Sequence, residues 1–257
     1  MPRSRRIELF ALAGIPLIQP GDDLALTILA ALEGMGLRLE DGDVLVIAQK
    51  AVSKSEGRYV DLRGVQPSAR AVELAAATAK DARVVELILG EAAEVLRHRP
   101  GVVVVEHRLG YVLANAGIDA SNVEPEGEAE RVLLLPADPD ASCERLRAEF
   151  ARLTGRAVAV IVNDSLGRAW RLGIVGTALG CAGLPALVDE RGRPDLFGRP
   201  LQSTQTAPAD ELAAAASLLQ GQADEGVPVV LIRGFASDGA PVSGRALVRP
   251  RGEDLFR

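Results

Sequence analysis

Val102-Val-Val-Val-Glu-His-Arg-Leu-Gly110, followed by Tyr111-Val-Leu-Ala114, is the stretch on which the fold turns. Two apolar runs flank Arg108-Leu-Gly110, so residues 102–106 and 111–114 read as the arms of a β-hairpin, with the glycine free to take the turn. A hairpin demands antiparallel pairing. Other parts of the chain carry helices long enough to cross over between parallel strands. Together these signals predict an α+β fold of mixed β-sheets with flanking helices, not a regular doubly wound sheet.

Upstream, residues 6–12 read as a first strand, and Gly14-Ile-Pro-Leu-Ile-Gln-Pro20 as an extended loop held by two prolines. A helix follows from Asp22 or Asp23, with apolar positions at Leu24, Ile28, Leu29 and Leu32, and stops at 34–36. Residues 43–49 read as a strand, continuously apolar over 44–48 and too short for anything but a buried one. Ser68 and Asp81 cap two further helices, expected over 68–80 and 81–97. Downstream come a short strand at 132–135, a helix over 140–153 closed by Gly155, and a buried strand at 157–163. An Ala-rich helix at 208–220 and a strand at 227–232 complete the pattern; the tail from Ser237 has turn residues and little periodicity. No repeat, linker or low-complexity block divides the chain, so 1–257 is read as one unit or two interleaved subdomains.

Composition narrows the function classes. Among 257 residues, 48% hydrophobic and 25% charged content is that of a globular protein with a sizeable core. No apolar run approaches a membrane span, and Met1-Pro-Arg-Ser-Arg-Arg leads into a strand instead of a signal-peptide core. Cys143 and Cys181 offer neither a disulfide framework nor zinc spacing, so the cytoplasm is the expected compartment. A net charge of −6 and only 3% aromatics argue against a nucleic-acid partner. The two histidines, His98 and His107, are expected at a solvated helix end and a strand edge. Any metal is then held by oxygen, which points to magnesium or manganese.

Three clusters could do chemistry. Asn115-Ala-Gly-Ile-Asp-Ala-Ser-Asn122 gathers one carboxylate (Asp119), one hydroxyl (Ser121) and two carboxamides, with Gly117 to turn the backbone. It reads either as an Asx-type turn or as oxygen ligands for a hard cation and the phosphates that cation bridges. Val160-Ile-Val-Asn-Asp-Ser-Leu-Gly-Arg168 ends a buried strand in Asp164-Ser165, with Arg168 and Arg171 beyond it. This is either a cap with solvated arginines or a metal-phosphate site. Finally, lysine and arginine total 29, yet lysine occurs only at Lys50, Lys54 and Lys80. Two of those fall within Gln49-Lys-Ala-Val-Ser-Lys-Ser-Glu56, just past a buried strand, where an ammonium could meet phosphate. The segments at 188–198 and 220–227 are weaker, as polar loops that could reach a ligand or merely connect. Neither glycine-rich nucleotide loop is present, and no Ser-His-Asp or Cys-His set appears.

These segments, in order, resemble the coenzyme F-420:L-glutamate ligases, also called F-420-0:gamma-glutamyl ligases. The likeness runs through Gly14-Ile-Pro-Leu-Ile18, Gly21-Asp-Asp-Leu24, Asp41-Gly-Asp-Val44, Val52-Ser-Lys-Ser-Glu-Gly-Arg58 and the Asn115 to Asn122 cluster. It continues in Leu134-Leu-Pro-Ala-Asp-Pro139, Asp164-Ser-Leu-Gly-Arg-Ala-Trp-Arg171, Ala209-Asp-Glu-Leu212 and Leu247-Val-Arg-Pro250. No single landmark is diagnostic; their ordered set is.

The resemblance implies a GTP-dependent amide ligase using Mg2+ or Mn2+, with K+ assisting, that adds L-glutamate to an F-420 precursor through an acyl phosphate and gamma linkages. It also implies an intertwined homodimer. By the same resemblance Asp119, Asp164 and Ser165 are metal ligands, and Asp119, Asp164 and Lys54 carry the catalysis. Nucleotide contacts are expected from Ile15, Pro16, Leu17 and Ile18, from Gln49, Lys50, Lys54 and Asn122, and from Gln220, Gly221, Gln222, Ala223, Asp224, Glu225, Gly226 and Val227. Many members have Thr at the position of Ser165, and some have Ser or Thr in place of Gln49-Lys50. Some relatives continue into a flavin-binding reductase-like domain, which is not expected here. A metal-dependent phosphohydrolase, a ligase for another carboxylate, or a nonenzymatic nucleotide binder are the competing expectations.

Overall fold

Val44-Leu-Val-Ile-Ala48 lacks alternation because both of its faces are covered. The computed structural model describes residues 6–121, 123, 130–237 and 239–255. The first half runs β1 (Glu8–Ala11), α1 (Leu24–Gly34), β2 (Val44–Ala48), α2 (Gln49–Ser55), β3 (Tyr59–Asp61), α3 (Ala69–Thr78), α4 (Ala82–Glu91), β4 (Ala92–Arg99), β5 (Val102–His107) and β6 (Val112–Ala114). The second half runs β7 (Arg131–Leu133), α5 (Pro139–Thr154), β8 (Ala159–Arg168), β9 (Arg171–Ala182), β10 (Val188–Asp189), β11 (Gln205–Thr206), α6 (Pro208–Gln220) and β12 (Val229–Arg233). The fold is α+β with mixed sheets, as the hairpin and crossover signals require.

The largest sheet has the order β1-β12-β2-β8-β9. Only β2 and β8 pair in parallel; every other neighbour is antiparallel. Period-two geometry sends Leu45, Ile47, Val160 and Val162 to one face, where α1 and α5 bring Ile28, Leu32 and Phe150. Val44, Val46 and Ile161 face the other way, against Ala209, Ala213 and Ala216 of α6. The alanines of α6 let its backbone come close. A Cβ placed on Gly176 of β9 would sit 2.3 Å from the Ala213 carbonyl oxygen.

A second layer holds the β4-β5-β6 sheet, packed through Ile88, Val103 and Val105 against α4. The hairpin of the opening stretch is β5–β6. Caps fall where the sequence places them: Asp23 accepts from Leu26 N, Ser68 from Ala71 N, and Gly155 closes α5 in the left-handed region. Among the described residues no helix is long and apolar enough to cross a membrane.

Several expectations are corrected. The helix expected over 81–97 ends at Glu91, and 92–99 form β4 instead, paired with β5 across Gly101. Local propensity favours helix there, but Ala92 and Val95 bury against the β5 core only in an extended chain. His107 is not at a solvated edge. It is the inward-facing end of β5, 1% exposed, with Nε2 3.2 Å from Glu91 Oε2 and Nδ1 accepting from Leu109 N. Residues 164–168 are no loop: β8 runs on to Arg168 and returns as β9, a strand the sequence concealed behind three glycines. Cys143 and Cys181 are both buried free thiols.

Candidate functional site

Parallel pairing of β2 with β8 sets Ala48 opposite Asn163, so Gln49, just past the end of β2, and Asp164, midway along β8, come at the same level. The chain after β2 coils at once into α2. Lys50 and Lys54 are therefore on a helix, one turn apart on the same face, and not on a surface loop. Gln49 and Ser53 repeat that spacing on the inward face and are buried.

Asp119 arrives from the other layer. After β6 the backbone makes three successive left-handed residues, Asn115, Ala116 and Gly117, with φ of 53°, 54° and 66°. Asn115 Oδ1 is spent on Val103 N at 3.1 Å, so this carboxamide serves the turn and not the cluster. Asp119 then bridges to Leu133 through both backbone groups, N–H to O at 2.9 Å and O from N–H at 2.8 Å. Its carboxylate accepts from Gln49 Nε2 at 2.9 Å and lies 3.5 Å from Lys50 Nζ. Lys50 also donates to Ser121 Oγ at 3.1 Å.

These segments enclose one cavity of about 710 Å³. Asp119, Ser121, Asp164 and Ser165 line it with Lys50 and Lys54. The loop Ile15, Pro16, Leu17 and Ile18 forms one wall, and the stretch from Gln220 to Val227 another. The structure thus brings together the site residues expected from the sequence, except Asn122, which lies outside the described residues. Arg168 and Arg171 do not join them; they stand at the exposed tip of the β8–β9 hairpin, with Arg168 donating to Leu172 O. The 188–198 loop also lies away from the cavity.

Asn163 is the residue sequence reasoning passed over. It is 3% exposed and forms a reciprocal amide pair with Gln220, 2.8 Å one way and 3.1 Å the other, fixing the start of the 220–227 loop. In that loop Glu225 folds back to accept from Ala223 N at 2.8 Å, which holds its carboxyl below the usual range. The only sequence signal for Asn163 was a carboxamide ending an otherwise apolar strand.

Electrostatics tie the two aspartates together. Burial, then the neighbouring Asp119 carboxylate, push Asp164 up to about 7, against the pull of Ser165 N–H and Lys50. Asp119 is likewise raised by burial, opposed by Lys50 and Gln49. Among the described residues no group of three or more His, Cys, Asp or Glu side chains could hold a metal. The set is two carboxylates and a hydroxyl, which fits a hard divalent cation completed by phosphate oxygens and water. A cation needs the ionised carboxylates. Between pH 3.8 and about 7 the folded protein keeps on Asp164 a proton that the unfolded chain has lost. In the metal-free protein this contribution to stability is present at low pH and is lost as pH rises through about 7. The rise in Tm on adding Mn2+ is therefore expected to be larger at pH 8 than at pH 6 in differential scanning fluorimetry; equal shifts would contradict the assignment.

The model of the F-420-0:gamma-glutamyl ligase family matches residues 14–234. The chain is 48% identical over 256 residues to the coenzyme F-420:L-glutamate ligase of Methanothermobacter thermautotrophicus, covering 98% of this chain and 99% of the relative. The chain belongs to this ligase family. The correspondingly named proteins of Methanocaldococcus jannaschii and Methanopyrus kandleri are 43% and 46% identical over 253 and 244 residues. Those alignments cover 98% and 93% of each chain. The family match spans the 15–18 wall, α2, both aspartates and the 220–227 loop.

Proposed function

We propose that this chain joins L-glutamate to the deazaflavin coenzyme precursor F-420-0 at the expense of GTP, repeating to build gamma-linked glutamates. The observation that carries the reading is the convergence of Asp119, Asp164, Lys50 and Lys54, from three separate segments, on one cavity in a member of this ligase family. The γ-phosphoryl group of GTP passes to a carboxylate oxygen of the precursor, giving an acyl phosphate and GDP. The glutamate amine attacks the acyl carbon, the phosphate leaves, and the amine gives up a proton as the amide forms.

Asp119, Asp164 and Ser165 would hold Mg2+ or Mn2+, which neutralises charge on the transferred group and aligns it, with K+ as an auxiliary ion. The residues themselves supply position. Lys50 and Lys54 project from one helix face toward the phosphates, so both ammonium groups approach from the same side. The reciprocal Asn163–Gln220 pair anchors the 220–227 wall. Part of the apolar surface supports a homodimer: Trp170 and Leu172 on the β8–β9 hairpin are 88% and 98% exposed, and Leu196 and Phe197 are 99% and 82% exposed. Cytoplasmic location follows the free buried thiols.

The deciding experiment incubates the protein with GTP, Mn2+, L-glutamate and F-420-0, and follows both phosphate and product mass. A product heavier by one glutamate residue, formed with one phosphate each, supports the ligase; phosphate without incorporation supports a phosphohydrolase. Lys54→Ala is expected to weaken GTP binding by about tenfold or more, as loss of one charge-assisted phosphate contact would. Isothermal titration with GTP and Mn2+ reads this, and unchanged affinity removes Lys54 from the phosphate site.

A further inference from the structure

The inward face of α2 carries two buried polar residues that connect to Asp119. Gln49 is 2% exposed and Ser53 fully buried, one helical turn apart. Ser53 Oγ donates to Gln49 Oε1 at 3.0 Å, and Gln49 Nε2 donates to Asp119 Oδ2 at 2.9 Å. An ionised carboxylate only accepts, so the amide must turn its NH2 toward Asp119. Its oxygen is then left facing inward, where the Ser53 hydroxyl satisfies it. The three groups form a directed chain, and reversing the amide would lose the bond to Asp119, although the Ser53 hydroxyl could then accept from the turned NH2.

This chain makes the two oxygens of Asp119 unequal. Oδ2 accepts from a buried amide. Oδ1 lies 3.5 Å from the Lys50 ammonium, on a flexible stem whose side chain is 29% exposed. The Asp119 backbone is clamped to Leu133 through both its N–H and its carbonyl, so the carboxylate moves only by rotation about its own side-chain bonds. We propose that Ser53 and Gln49 are positioning residues for the cation. They lock Oδ2 so that Oδ1 is the oxygen offered to the divalent ion, while Lys50 holds that place until the ion arrives and then turns to the phosphates. The inference rests on the metal role of Asp119 proposed above. It also means that one donor of the Gln49 amide is committed to Asp119.

The test measures Mn2+ binding directly, by the electron paramagnetic resonance signal of free Mn2+, in the full-length protein carrying Ser53→Ala, Gln49→Leu or Asp119→Asn. Both positioning variants are expected to weaken Mn2+ binding by about tenfold, the scale on which partners of metal ligands act. At saturating Mn2+ turnover should return to within about threefold of wild type, because the ligands themselves remain. A purely structural role would instead lower the unfolding temperature and turnover while leaving Mn2+ affinity alone. Ser53→Ala removes a single oxygen, which keeps the test informative should Gln49→Leu fold poorly. Wild-type Mn2+ affinity in either positioning variant, with Asp119→Asn losing it, overturns the relay and keeps the metal site. Wild-type affinity in Asp119→Asn overturns the metal site and the relay with it.

Discussion

Asp164→Asn is expected to lower ligation at least about a thousandfold while leaving a folded protein of equal or greater stability. The loss corresponds to about 4 kcal/mol of transition-state stabilisation, within the several kcal/mol that a charge-neutralising cation supplies. The stability expectation comes from the apo geometry. Asp164 Oδ1 accepts from Ser165 N at 2.8 Å, and an asparagine oxygen can do the same. The substitution also removes a buried negative charge that the neighbouring Asp119 carboxylate opposes. Above about pH 7, where the wild-type group must ionise against burial, the variant should unfold at the same or a higher temperature. Product formation by mass spectrometry and thermal scans at pH 8 read the two effects. Ligation within tenfold of wild type would remove Asp164 from the cation site.

The second large effect concerns the frame behind that aspartate. Gly180→Ala is expected to destabilise the protein by about 3 kcal/mol or more, the upper range for forcing atoms into a packed interior. A Cβ at this position would lie 2.4 Å from Pro139 C and O and 2.8 Å from Asp140 N. All three are backbone atoms of the first turn of α5, which is itself pinned: Asp140 Oδ1 accepts from Cys181 N and Gly244 N, and Oδ2 accepts from Arg245 N. No flexible side chain is there to give way. Gly90, an exposed position of α4 with nothing within 4 Å of its added Cβ, is the control and should tolerate alanine. Urea unfolding midpoints compare the two, and a midpoint for Gly180→Ala equal to that of the control would show that α5 can move away from β9.

The polar residues that line the cavity were legible because each cluster follows an apolar run that can only be buried. Asp119, Asp164 and the two lysines stand out as polar groups placed just where such a run stops. Whether they meet was not legible, since that depends on β2 and β8 lying side by side and on Asp119 reaching them from another layer. The misread elements share a physical cause. Residues 92–97 have helix-forming composition, and only their pairing with β5 makes them a strand. The strand β9 hides because Gly173, Gly176 and Gly180 interrupt its alternation; the latter two are there to admit α6 and α5, which no local pattern reports. The hydrogen bond from Gln49 to Asp119 was hidden because the two residues are distant in the chain. His107 looked solvated because Glu106 and Arg108 flank it, yet its ring turns inward to meet Glu91, which is distant in the chain.

The parallel register that ends in Ala48 beside Asn163 works as a caliper. Losing or gaining one residue in either strand would swing everything after it to the opposite side of the sheet, carrying Gln49 or Asp164 out of the cavity. Homologous chains should therefore vary in length almost anywhere else, and hold the span of these two strands constant.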